Sequence, residues 1–277
     1  MNPDLTIAFI GGGNMASALA SGLADKVCPA ANLHVIDPNT DVQHAWRQRG
    51  ATAASAADET LRTCKVWLYA VKPQQLREAA LATRQWLQPD TLIVSVAAGI
   101  RADTLADWLG EPGAPWQNLV RCMPNTPALV GAGVSGLIAL PGVDDAGRAL
   151  ADSLLAAVGQ VVWVADDNAL DAVTALSGSG PAYVFLFLES LIAGGVAVGL
   201  TPEQARQLAL GTLAGATTLA EQSTEPPAVL RERVTSRGGT TAAALQVFET
   251  ADLRSTVRQA LEAAAQRSRE LASEFGK

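Results

Sequence analysis

The chain has 277 residues, of which 49% are hydrophobic, and it carries a formal net charge of −7. This length allows two domains, and the acidic balance argues against nucleic acid or a membrane surface as a partner, because phosphate groups need clustered lysines and arginines. The three cysteines, Cys28, Cys64 and Cys122, lack the number and spacing of a disulfide framework or a metal site. We therefore expect a globular cytoplasmic protein that binds a small molecule and no metal.

Two apolar stretches raise the question of membrane targeting. The start of the chain lacks the basic residues of a signal peptide, and three glycines interrupt its first apolar run. The longest later stretch, residues 184–200, contains Glu189 and is too short to span a membrane. We expect this stretch in a buried helix or in a subunit interface.

The first 165 residues alternate between short β-branched runs and helical segments. The runs are LTIAFI, LHVID, VWLYAV, TLIVSVA, NLVRCMP and QVVWVA. Such alternation is typical of parallel strands that are joined by crossover helices. The sequence therefore predicts a doubly wound parallel α/β sheet over residues 1–165.

Beyond Ala165 the strand pattern stops, and the sequence predicts an all-helical domain over residues 166–277. Helices are expected over residues 168–200, 202–222, 227–235 and 241–274. Thr201 and Gln204 have the spacing of a capping box, with Pro202 at the first helical position. In the last predicted helix, residues 253, 257, 261, 264, 268 and 271 form one mainly apolar stripe.

The first predicted strand runs directly into a glycine-rich turn. Gly11, Gly13 and Ala16 have the spacing of a dinucleotide-binding fingerprint between a strand and a helix. In that pattern the first glycine makes the tight turn, the second lets the backbone approach a pyrophosphate, and the third position allows close helix packing. The turn therefore predicts a dinucleotide site.

Asp37 ends the second predicted strand. An acid at this place accepts a hydrogen bond from a ribose 2′-hydroxyl and repels a 2′-phosphate, which favours NAD over NADP. The alternative is that Asp37 opens an ordinary Asp-Pro-Asn turn.

Two further loops follow predicted strands, at residues 70–75 and 96–100. Ligands of open α/β sheets bind beyond the carboxyl ends of the strands, so both loops are expected to line the cofactor groove. Lys72 could neutralise a cofactor phosphate there, or it could be a solvated loop charge.

The helical half contains two unusual segments. SGSGP at residues 177–181 interrupts an otherwise helical region, and SRGGTT at residues 236–241 precedes the last predicted helix. Ser236, Thr240 and Thr241 cluster around two glycines, and such a loop at a helix N-terminus suits a small carboxylate. An ordinary helix cap by Thr240 or Thr241 is the alternative. The break at residues 177–181 is interpreted as a kinked helix start next to the bound cofactor and the substrate, and a purely architectural break is the alternative.

The segments FIGGGNMA, AVKPQ, RCMPNTPA, SGSGPAYVF and PAVLRERVTSRGGTTAAALQVFE resemble the pyrroline-5-carboxylate reductase family over the whole chain. The resemblance implies a Rossmann domain that binds NADP(H) or NAD(H), and a helical domain that dimerises and can assemble further, up to a decamer. It implies the reduction of 1-pyrroline-5-carboxylate to L-proline, the last step of proline biosynthesis.

The resemblance also implies site residues. Gly239, Thr240 and Thr241 match the loop for the substrate carboxylate, with the Thr241 hydroxyl near the ring nitrogen, and Ser236, Ser177 and Asp167 are further substrate-site candidates. The cofactor positions are Asp37 together with Ile10, Gly11, Gly12, Gly13, Asn14, Met15, Ala70, Val71, Lys72, Pro73, Val96, Ala97 and Ala98.

Three positions depart from the family pattern. Asp37 stands where NADPH-preferring members often carry a small hydroxyl residue, and Ala57 replaces a frequent asparagine near the cofactor. Both bear on cofactor preference. Arg237 replaces a frequent proline at a variable position.

Two other functions compete with this interpretation. One is a reductase of another imine or keto acid on the same architecture, although the hydroxyacid dehydrogenases that use a helical-domain lysine are disfavoured, since no lysine lies between Pro73 and Gly276. The other is a redox-sensing module that binds NAD(P) without turnover.

Overall fold

The computed structural model describes residues 1–24 and 26–276, which form two compact units. The first unit contains Met1–Ser179 and the chain from Ala263 onward, and the second unit contains Gly180–Glu262. The predicted boundary between residues 165 and 166 stays a prediction, because the two compact units show how the chain packs and not which segment binds the dinucleotide or the substrate.

The first unit is built on an eight-stranded sheet in the order β3-β2-β1-β4-β5-β6-β7-β8. The strands are β1 (Ile7–Ile10), β2 (Leu33–Ile36), β3 (Thr52–Ala54), β4 (Val66–Tyr69), β5 (Leu92–Ser95), β6 (Leu119–Met123), β7 (Gly133–Ala139) and β8 (Gly159–Trp163). All neighbours pair in parallel except β6 and β7, which are antiparallel. The predicted doubly wound sheet is therefore confirmed. The expectation that β8 is parallel to the other predicted strands is wrong, because β7 and β8 are antiparallel to β1 to β6.

Among the described residues up to Ser179, six α-helices accompany this sheet. They are α1 (Asn14–Leu23), α2 (Thr40–Gln48), α3 (Pro73–Thr83), α4 (Ala102–Leu109), α5 (Asp145–Ala156) and α6 (Asp167–Val173). Alternate residues of β1 enter different cores: Phe9 packs with Leu19 on one face, and Ile10 packs with Leu76 on the other. Because both faces are covered, the central strands are apolar throughout, as parallel strands usually are.

The helices of the second half are α7 (Gly180–Ala197), α8 (Pro202–Gln222), α9 (Pro227–Arg233), α10 (Thr240–Thr250) and α11 (Leu253–Phe275). The capping box is confirmed, since the Thr201 side chain accepts from the backbone of Gln204 and the Gln204 side chain accepts from that of Thr201. The single predicted helix over residues 241–274 is wrong. It is divided at Ala251 and Asp252, where Asp252 has a φ of +50°, a conformation that aspartate tolerates better than most residues.

The helix predicted over residues 168–200 is also divided. A π-helical turn, Thr174–Gly178, separates α6 from α7. No residue of α7 is buried within the single chain, so the expectation of a buried helix is wrong and that of a subunit interface remains. By length and composition alone, the segment Asp167–Ala197 could cross a membrane.

Candidate functional site

The turn after β1 is shaped by Gly11, which adopts a φ of +94°. A Cβ atom at this residue would lie 2.8 Å from Val71 Cγ1 and 3.0 Å from the Ala70 carbonyl oxygen. The Gly11 N–H donates to the Ile36 carbonyl at 2.8 Å, which ties the turn to β2. Only glycine fits both this conformation and this close approach.

The next two glycines have different surroundings. Gly12 is buried, its carbonyl accepts the Trp46 indole N–H at 2.9 Å, and a Cβ would lie 2.6 Å from Val42 Cγ1. Gly13 is exposed, has no atom within 4 Å of its Cβ position, and is the N-cap of α1 without a side-chain cap. The first amides of α1 are therefore open to a phosphate group, and the helix dipole favours one there.

Asp37 follows β2 at the same edge of the sheet. Its Oδ2 accepts from the Gly12 N–H at 2.8 Å, and its Oδ1 accepts from the Asn39 N–H at 2.9 Å. The carboxylate therefore opens the predicted turn and also faces the glycine loop, so the two interpretations of Asp37 are compatible. Its side chain is held next to the backbone that would meet a dinucleotide.

The loops after β4 and β5 complete this edge. The Ala70 N–H donates to the Ile10 carbonyl at 2.8 Å, and the Val96 N–H donates to the Tyr69 carbonyl at 3.0 Å. Lys72 is exposed, and it is the N-cap of α3 without a side-chain cap. The predicted cofactor segments, residues 10–15, 70–73 and 96–98, therefore follow three adjacent parallel strands, and their contacts with a cofactor stay predictions.

In the second unit, the loop before α10 presents an open helix N-terminus. Gly239 is the N-cap, and no side chain caps the helix. The Gly239 N–H donates to the Ser236 carbonyl at 3.1 Å. Gly238 has a φ of +70°, and no atom lies within 4 Å of the Cβ position of Gly238. The alternative that Thr240 or Thr241 is an ordinary cap is therefore wrong. The first amides of an 11-residue helix are left available for an anion.

Two further candidates lie in the first unit with partners that the sequence analysis missed. The Asp167 carboxylate forms an ion pair with Arg121, whose side chain is 2% exposed. The Ser177 carbonyl and hydroxyl both accept from the Asn125 side-chain amide, at 3.2 and 3.3 Å. Both partners lie in RCMPNTPA, a segment that the sequence analysis used only for the resemblance.

Within the described part of the chain, two of the three thiols are held neutral by burial, and no cluster of metal ligands occurs. Burial raises the pKa of the Cys64 thiol to about 11 and that of the Cys122 thiol to about 12, so neither is a thiolate near neutral pH. No group of three or more metal-ligating side chains occurs within residues 1–24 and 26–276.

Fold and site together define a Rossmann-type dinucleotide-binding protein with an additional helical unit. Family models agree with this class: residues 6–99 match "NADP oxidoreductase coenzyme F420-dependent", and residues 167–271 match "Pyrroline-5-carboxylate reductase dimerisation".

Whole-chain comparisons give the family. The pyrroline-5-carboxylate reductase of Pseudomonas aeruginosa is 44% identical, with 98% of each chain covered. A solved pyrroline-5-carboxylate reductase from Coxiella burnetii has a TM-score of 0.90 and 35% identity over 97% of this chain and 99% of its own. The Plasmodium falciparum enzyme, solved with NADP bound, has a TM-score of 0.86 and 30% identity over 98% of this chain and 100% of its own. The chain belongs to the pyrroline-5-carboxylate reductase family.

Proposed function

We propose that this chain reduces 1-pyrroline-5-carboxylate to L-proline with NADPH or NADH. The observation that carries the proposal is the open N-terminus of α10 at Gly239, in a chain whose whole length resembles these reductases. A carboxylate bound by these amides would distinguish the substrate from a simple cyclic imine. A sensor that only holds a dinucleotide has no need of such a loop.

The residues of the first unit fit a dinucleotide. Gly13 leaves room above the first turn of α1 for the pyrophosphate, and the hydrogen bond between Asp37 and the glycine loop supports a contact of Asp37 with the adenosine ribose. The loops at residues 70–73 and 96–98 would hold the remainder of the molecule along the same edge. When bound, the reduced cofactor supplies the hydride, while the protein contributes binding and orientation.

The substrate requires little acid–base chemistry if it binds as the protonated imine. In the proposed arrangement the amides of Gly239 and Thr240 hold the carboxylate, and the Thr241 hydroxyl orients the ring nitrogen. Ser236, Ser177 and Asp167 are additional candidates for the substrate site. The rate enhancement would then come mainly from holding the ring at the correct angle and distance for hydride transfer.

Replacing Thr241 with alanine should lower kcat/KM for the imine roughly 100-fold, the effect of losing one well-placed donor, while the affinity for the cofactor is unchanged. Absorbance of the reduced nicotinamide measures the rate, and cofactor fluorescence measures binding. Thr250→Ala, at the other end of α10, is the matched control, since its hydroxyl bonds only within the helix. Equal rates in the two variants would remove Thr241 from the mechanism.

The wild-type protein provides the test of the activity itself. Rapid oxidation of NADPH or NADH that depends on pyrroline-5-carboxylate supports the proposal. Folded protein that binds the cofactor but oxidises neither with this substrate would contradict it. The same assay with other cyclic imines and keto acids would then identify a different reductase, and no turnover with any of them would favour the sensor.

Homo-oligomerisation is supported by the dimerisation match and by the apolar surface of the second unit. A groove of about 850 Å³ there is lined by residues of α7, α8 and the first half of α11. Val184, Leu186 and Phe187 contribute to it and are 53%, 65% and 41% exposed in the single chain. We infer that these side chains are buried between two subunits, and that dimers assemble further, up to a decamer.

Leu186→Glu should therefore convert the oligomer to monomers at micromolar concentration, because burying an unpaired carboxylate costs several kcal/mol. Sedimentation velocity measures the change. Leu81→Glu is the control, since Leu81 is 43% exposed on α3 of the first unit and does not line the groove. An unchanged sedimentation coefficient for Leu186→Glu would place the interface elsewhere.

The remaining partners follow from composition. With 20 lysines and arginines against 27 aspartates and glutamates, the chain offers little to nucleic acid or to an anionic membrane. We propose a cytoplasmic enzyme whose partners are its small-molecule substrate and copies of itself.

A further inference from the structure

The helical break at Ser177 leaves one carbonyl without its normal partner. In an α-helix each carbonyl accepts from the N–H four residues later, and the residue four after Ser177 is Pro181, which has no N–H. The chain widens to a π turn here, in which the Ser179 N–H donates to the Thr174 carbonyl at 2.8 Å. The Ser177 carbonyl therefore needs a donor from another element.

Asn125 provides that donor. Its Nδ2 donates to the Ser177 carbonyl at 3.2 Å and to the Ser177 hydroxyl at 3.3 Å. Its Oδ1 accepts from the Val134 N–H at 2.9 Å, and the Ser177 hydroxyl donates to the Val134 carbonyl at 3.4 Å. The side chain is thus bound at both ends, and only one orientation of its amide satisfies both contacts.

The position of this network connects it with the ligand edge of the first unit. Asn125 follows β6, which runs parallel to β5, so its strand ends at the same edge as β1, β4 and β5. Asn125 is 8% exposed, and Ser177 is only partly buried. The buried Asn125 amide therefore holds the turn at Ser177, while Ser177 itself remains partly exposed. This turn lies near the edge where ligands of such sheets bind.

The packing around the turn is close as well. A Cβ atom at Gly178 would approach the Met123 methyl group, which belongs to the last residue of β6. The π turn therefore touches the end of β6 through Gly178 and the following loop through Asn125. A shift of this turn would move the Ser177 hydroxyl relative to the sheet.

We propose that Asn125 is a positioning residue for the reduction, which acts by holding the Ser177 carbonyl that Pro181 leaves unpaired. This inference rests on the proposed reductase function. Asn125 does not need to touch the substrate. It sets the place of the Ser177 turn, and hydride transfer is sensitive to such placement, since a misplacement of about 1 Å can cost roughly 100-fold in rate.

Asn125→Asp is the most direct test because it retains the oxygen that accepts from Val134. It replaces the donating amide with a carboxylate oxygen, which repels the Ser177 carbonyl. We expect kcat for the imine to fall by about 30–100-fold, while the dissociation constant of the reduced cofactor stays within about twofold. Should the aspartate variant fail to fold, Asn125→Ala removes the amide without introducing a charge and should show the same separation of kcat from cofactor affinity.

Asn118→Asp is the matched control. Asn118 precedes the same strand, at its opposite end, and its amide donates to the Thr91 carbonyl at 3.1 Å. A purely structural role for Asn125 predicts similar, small kcat changes in both variants once each is shown to be folded by circular dichroism. Positioning predicts a large fall for Asn125 alone.

The outcomes separate this inference from the function on which it rests. Wild-type protein that does not reduce the imine contradicts the proposed function. Active wild type with Asn125 variants within about tenfold of its kcat contradicts the positioning role, since less than about 1.4 kcal/mol of transition-state stabilisation would then depend on Asn125. A parallel loss of cofactor affinity would also overturn it, because Asn125 would then belong to the cofactor site.

Discussion

Replacing Arg121 with methionine should lower the free energy of unfolding by about 3 kcal/mol, the lower end of the range for breaking a buried ion pair. Arg121 is 2% exposed and pairs with Asp167, whose side chain is 17% exposed. Methionine fills a similar volume but leaves the Asp167 carboxylate without its cation. Because Asp167 is partly hydrated, the loss should not reach the upper end of that range.

The denaturant midpoint measures this effect, at one protein concentration because subunit association contributes to stability. Lys65→Met is the control: Lys65 and Asp90 lie 2.6 Å apart but are 59% and 62% exposed, so that pair should contribute at most about 1 kcal/mol. Arg121→Met/Asp167→Asn removes both charges and should recover much of the loss. Equal midpoints for Arg121→Met and Lys65→Met would show that the buried pair contributes no more than the exposed one.

The Arg121–Asp167 pair also affects how Asp167 can be interpreted. Asp167 begins α6, which leads through the π turn to the break at Ser177. The pair fixes the start of this segment to β6, and Asn125 fixes its end to the loop after β6. Asp167 therefore has a structural role in the first unit, whether or not it also contacts the substrate. A kinetic effect of an Asp167 variant would need the double variant above to separate the two roles.

The sequence was sufficient for the parts of the fold that depend on local pattern. The six predicted strands exist because each is a run of mainly β-branched or apolar residues. β3 and β7 were missed because β3 has only three residues, two of them alanine, and β7 contains two glycines. The division at Asp252 was missed because no glycine or proline marks it in the sequence; the residue with a positive φ is an aspartate.

The site divides in the same way. The glycine turn and Asp37 could be found from sequence because their spacing follows from one strand, one turn and one helix. Arg121 and Asn125 could not, because their partners are 46 and 52 residues away in the chain. One clue was available: a proline four residues after Ser177 implies an unpaired carbonyl. The sequence does not indicate which side chain meets it.

Replacing Asp37 with serine should shift the ratio of kcat/KM for NADPH to that for NADH by roughly 100-fold towards NADPH, because like charges about 5 Å apart repel by about 3 kcal/mol at an effective dielectric constant near 20. In the wild type the Asp37 carboxylate is held by the N–H groups of Gly12 and Asn39, at 2.8 and 2.9 Å, so it cannot easily turn away from a 2′-phosphate. The same carboxylate would accept the 2′-hydroxyl of NADH, so the wild type should favour NADH.

Initial rates with both cofactors at saturating imine give the ratio directly. Asp41→Ser removes the same charge from the exposed first turn of α2 and should leave the ratio within about twofold, since exposed charges are screened over a Debye length of about 8 Å. The serine hydroxyl of the variant can still donate to a 2′-phosphate, but the variant lacks the charged acceptor for the 2′-hydroxyl. The rate with NADPH should therefore rise while the rate with NADH falls. A ratio that is the same in Asp37→Ser and in the wild type would mean that the carboxylate faces only the glycine turn. Cofactor preference would then have to come from other residues of this edge, and exposed Lys72 would be the next to test.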